Sequence, residues 1–198
     1  MKPVTFIIIM LLAVQLHAQQ IYPPKIRILI DTTIRPMIDR SSPAGALGTL
    51  DVRLVINDNE EINTFGSKRK MDFITHTYFV EDTLFILGLG RTSELGFYLE
   101  LHGDSSRVSL FATTDGPAVY KLFPSDTVYQ RKISVGTTFC RLTLARLPVY
   151  KDGEVIEGFV EMDSHEFYGK SGKEKNDDKV QVKISAYFRT LPITTLKK

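Results

Sequence analysis

Glu161, Asp163, His165 and Glu166 crowd together directly ahead of Gly169-Lys170-Ser171. Alternate residues of a strand share a face, with side-chain bases about 7 Å apart, so Glu161, Asp163 and His165 are candidate ligands for a cation, completed by a neighbouring strand and water. Glu161 and Asp163 also offer two carboxyl groups near the separation of about 5 to 9 Å that glycoside hydrolysis requires. Gly-Lys-Ser is the tail of a phosphate-binding loop, but Ser164 stands where the first glycine of that loop belongs and no helix follows. His76 and His102 sit in no recognisable ligand motif, so the cation site lacks a second half. Acids at alternate positions are ordinary on the open face of an antiparallel sheet, and two acids on one strand do not by themselves flank a substrate. A solvated strand face is therefore the preferred reading, with no metal or other cofactor assigned.

The elements that must position these residues are strands. Apolar residues recur at every second position, and helical spacing is absent past the N-terminal run. In VQVKISAYF, Val180, Val182, Ile184, Ala186 and Phe188 take one face, and Gln181, Lys183, Ser185 and Tyr187 the other. The same pattern predicts strands over 26–30, 50–56, 74–80, 83–89, 97–102, 107–113, 119–123, 138–147 and 155–162, about ten in all. Asn57-Asp58-Asn59, Gly103-Asp104-Ser105 and Asp152-Gly153 fall between them where turns are favoured. Many short strands at regular spacing define an all-β chain, an antiparallel β-sandwich or a barrel-like closure of one. Stretches 33–48 and 170–179 carry the prolines and polar residues of loops.

One hairpin constrains its own register. A two-residue Asp152-Gly153 turn would set Leu144 opposite Glu161 and Leu142 opposite Asp163, pairing core with water. An irregularity is therefore expected within 145–148, where alternation lapses beside Pro148, bringing Leu144 and Leu142 opposite Val160 and Met162. Cys140 shares parity with these leucines, as a packed thiol does.

On the opposite, wet parity lie the candidate binding residues: Tyr187, Lys183, Glu161 and Asp163, with Tyr98 on its own strand. Exposed tyrosine rings suit stacking against a sugar, although the chain contains no tryptophan. Lys2 followed by the apolar run 6–16 and Leu16-His17-Ala18 reads as a signal peptide over 1–18, with about eleven apolar residues against the roughly twenty that span a bilayer. The expected product is one domain over 19–198, periplasmic or extracellular, without a membrane span. The full chain's 25 basic and 23 acidic residues, 24 against 23 once Lys2 is removed, include no basic excess of the kind nucleic-acid binding uses, and one cysteine excludes an internal disulfide.

The last sixty or so residues, with "GEVIEGFVEMD", a polar loop and then "VQVKISAYF", resemble a loose group of exported bacterial β-sandwich proteins that has no established activity. The resemblance implies export and fold and carries over no functional residue. The sequence thus points to an exported, non-catalytic binding module for a glycan or cell-envelope protein. The alternatives are a carbohydrate-active hydrolase using carboxylates and a structural subunit docking through an edge strand.

Overall fold

The structure, a computed structural model, describes residues 23–38, 47–65, 73–80, 83–90, 95–149, 153–170 and 177–191. The predicted signal peptide, and Asp152 of the predicted turn, lie outside them. The strands in chain order are β1 (Lys25–Arg27), β2 (Leu29–Ile30), β3 (Leu47–Ile56), β4 (Asn59–Asn63), β5 (Phe73–Val80), β6 (Thr83–Gly90), β7 (Leu95–His102) and β8 (Ser105–Thr113). They continue as β9 (Tyr120–Lys121), β10 (Lys132–Val135), β11 (Thr137–Leu144), β12 (Ile156–Ser164), β13 (Phe167–Lys170), β14 (Asp177–Val180) and β15 (Val182–Thr190). A 3-10 helix, Thr32–Met37, stands within the stretch expected to be loop. Asp31 caps it, its carboxylate accepting from the Thr33 backbone N–H at 2.8 Å. Among the described residues, no helix is long and apolar enough to cross a membrane.

The fold is all-β and sandwich-like. Its large sheet runs β1-β8-β7-β6-β5-β3-β15-β12-β11-β2, with β10 also on β8 and β4 on β3; a small sheet runs β14-β13-β9. Alternation places the core. Val182, Ile184, Ala186 and Phe188 of β15 are buried, as are Ile156, Val160 and Met162 of β12, Leu50, Val52 and Leu54 of β3, and Phe97, Leu99 and Leu101 of β7. These side chains join one connected cluster.

Two segments change partners in mid-course. Lys25–Arg27 pairs antiparallel with β8, and two residues later Leu29 and Ile30 pair parallel with Thr143 and Leu144 of β11. Likewise β10 pairs with β8, and beyond Gly136 the chain continues as β11 on β12. Each segment thereby joins two parts of the sheet around the core.

The hairpin from β11 to β12 has the predicted parity with a different register. Leu142 faces Val160 and Cys140 faces Met162, while Leu144 faces Gly158, two residues from its expected partner. Strand β11 ends at Leu144, and the described residues 145–149 carry no ladder, so the irregularity expected there is wider than one inserted residue. Gly158 is what admits Leu144. A Cβ at Gly158 would lie 2.7 Å from Leu144 Cδ2 and 2.3 Å from the Phe188 ring. The Asn57-Asp58 turn forms as read: both residues have positive φ, 49° and 64°, joining Ile56 to Asn59. Strands β4, β10, β13 and β14 are not legible in the sequence, being short or strongly polar.

Candidate functional site

The outer face of β12 and β15 collects the predicted row in one place, held by partners within the protein. Glu161 pairs with Arg141, the residue opposite it on β11. Asp163 lies in register between Phe139 and Lys183. The Lys183 ammonium reaches Asp58 Oδ1 at 2.7 Å, and that hydrogen bond, more than the nearby Asp163 charge, raises its pKa. Tyr187 is half-buried. Its ring packs on Phe159, centroids 4.4 Å apart, and on Phe65 at 5.4 Å, while its hydroxyl donates to Met37 Sδ at 3.0 Å. Burial raises the Tyr187 pKa, with the Glu161 charge adding to it. Ile34, Ile38 and Ala145 complete a second small apolar cluster over this ring, so the 3-10 helix lies across part of the face read as wet. Tyr98 packs on Phe85 at 5.4 Å.

Glu161, Asp163 and His165 do not converge. Strand β12 ends at Ser164, His165 lies exposed beyond it with its backbone N–H on Gly136 O at 2.8 Å, and Glu161 is committed to a guanidinium. Among the described residues, no three His, Cys, Asp or Glu side chains are grouped to hold a metal ion. Neither do Glu161 and Asp163 share an enclosure; both are half-buried on the outer face.

A concave site does occur at the far end of β12, between the large and small sheets. It is a cleft of about 350 Å³. Phe123 and Tyr168 contribute rings to its wall, and Thr138, His165, Glu166 and Gln181 bring hydrogen-bonding groups. Glu166 is held by the Lys179 ammonium at 2.5 Å, a contact that raises the lysine pKa. The loop forming one wall is braced from behind. Lys121, buried on β9, places its ammonium 2.5 Å from Asp177 Oδ2 of β14, and Tyr129 donates to Asp177 Oδ1 at 2.6 Å. Lys121 also donates to Pro124 O at 3.0 Å, and Asp126 Oδ2 accepts from the Phe123 N–H at 3.0 Å. The hydrogen bond from Lys121, then that from Tyr129, lowers the Asp177 pKa, and the bond to Asp177 raises that of Lys121. The sequence held one signal for this brace: Lys121 shares strand parity with Val119 and Phe123, an apolar face on which a cation needs a partner.

No family model, curated protein or solved structure matches the chain.

Proposed function

We propose that the chain is an exported, non-catalytic binding module that takes a saccharide in the cleft between Phe123 and Tyr168. The observation that carries the reading is the composition of that cleft. Aromatic rings and planar or hydroxyl hydrogen-bonding groups meet in about 350 Å³, room for a sugar ring whose apolar face stacks while its hydroxyls are bonded. The brace of Lys121, Asp177 and Tyr129 keeps the wall in place before a ligand arrives, which lowers the ordering cost of binding. Among the described residues, Glu166 is the one carboxylate lining this cleft, and it is paired with Lys179, whereas glycoside hydrolysis uses two. Export rests on Lys2, the N-terminal apolar run and Leu16-His17-Ala18.

The test is a glycan array followed by titration calorimetry with the retained sugar. Tyr168→Ala and Phe123→Ala are each expected to weaken binding at least about tenfold, worth about 1.4 kcal/mol, with the fold checked by circular dichroism. An array without a retained glycan, or affinity unchanged in both variants, refutes the saccharide. Capture of an envelope protein by the same face would point to the other partner class.

A further inference from the structure

Three arginines from distant parts of the chain line one cavity at the opposite end of β12. Arg35 belongs to the 3-10 helix, Arg146 to the irregular segment after β11, and Arg189 to β15. The cavity measures about 330 Å³. Glu157 orients two of the guanidinium groups: its Oε2 lies 3.5 Å from Arg35 Nε and its Oε1 3.5 Å from Arg189 Nε. Glu154, buried beneath, holds Arg146 through Oε1 at 3.3 Å, while its Oε2 accepts from the Val149 N–H. The register explains the arrangement, because Glu157 and Arg189 are direct cross-strand partners and the 3-10 helix packs over β12.

We propose that this cavity binds an oxyanion, the carboxylate, sulfate or phosphate group of a small ligand. Guanidinium groups present planar, paired donors that match such oxygens, and they keep their charge at any pH the protein meets. The described side chains at the site carry three positive charges against the two of Glu154 and Glu157, so an added anion meets a net attraction. Arg35 Nε is buried and, at 3.5 Å from Glu157, is held by charge without a hydrogen bond. The volume exceeds that of a bare oxyanion, so the group that carries it also finds space. This site is independent of the saccharide cleft, with which it shares no lining residue.

Titration calorimetry of the full chain with inorganic phosphate, sulfate and acetate, at constant ionic strength in chloride, tests the proposal and separates the three sources. Saturable binding of at least one is expected, with chloride unable to compete at equal concentration. Arg146→Gln should weaken binding at least about fivefold; because it also takes the partner from buried Glu154, circular dichroism and the unfolding midpoint of the anion-free variant establish that it is folded at the titration temperature. Arg35→Gln should weaken it by a similar factor. Arg141→Gln, on the same sheet but outside the cavity, should leave affinity unchanged. No saturable binding of any of the three anions overturns the proposal, as does retention of affinity in both Arg146→Gln and Arg35→Gln, or equal loss in Arg141→Gln.

Discussion

Gly158 is opposite Phe188, Gly88 opposite Phe97 and Gly96 opposite Phe111, and in each pair the aromatic ring lies where the missing Cβ would stand. The ring atoms come within 2.3 Å of each ideal Cβ position, closer than any real contact, so these glycines are needed for space. At Gly158 Leu144 presses as well, as the backbone oxygen of Gly88 does at Gly96. Gly158→Ala is expected to cost about 1–3 kcal/mol by overpacking the junction of β11, β12 and β15. Urea unfolding measures it, and a change below about 0.5 kcal/mol would show that the Phe188 ring moves aside freely. Alternation alone marks position 158 as inward-facing; that a glycine there seats a ring from the next strand depends on a pairing with residues far along the chain.

At the level of elements, eight strands of eight residues or more, β3, β5, β6, β7, β8, β11, β12 and β15, coincide with predicted ones to within a few residues at their ends. They are legible because half-burial writes a period of two into the chain. Of the small sheet only β9 is legible, as part of the strand predicted over 119–123; β13 and β14 are too short to show a period, and the sheet owes its pairing to contacts such as Lys121 with Asp177. The cleft and the arginine cavity are illegible for the same reason: each is assembled from segments whose adjacency only the topology decides. The polar brace makes the small sheet sensitive to pH. Asp177 has its pKa lowered from 3.8 in the folded state, so its stabilisation is complete above 3.8 and is lost as pH falls through the lower folded value. Lys121 has its pKa raised from 10.5, so its share is complete below 10.5 and is lost as pH rises through the higher folded value. Urea unfolding across pH should therefore show the wild type more stable than Asp177→Asn by a constant margin between about pH 5 and 9, narrowing on both sides. A margin independent of pH down to about pH 2 would mean that Asp177 is no better solvated folded than unfolded.

For the molecule as a whole, the question is what holds β8 and β11 together, since β10 lies on β8 while β11, its continuation, turns away to β12. The stretch Lys25–Ile30 answers it as a clasp. Ile28, 4% exposed, sits between the two pairings, with its N–H donating to Asp104 O at 2.8 Å, and the N–H of Asp31 donates to Leu144 O at 3.0 Å. Each of the eight long strands thereby has a hydrogen-bonded neighbour on both sides over at least part of its length. If Ile28 is the fixed point of the clasp, Ile28→Ala should cost about 2–5 kcal/mol, the range for a buried isoleucine truncated in a packed core. Leu29→Ala, at a side chain 47% exposed, should cost no more than about 0.5 kcal/mol. Hydrogen exchange adds the diagnostic readout: in Ile28→Ala the amides of β1 and of Asp31 should lose protection together, because one segment holds both edges. Loss confined to the β8 side, with Asp31 still protected, would mean that β1 and β2 are anchored separately, and the continuity of the fold across β8 and β11 would then rest on β10 alone.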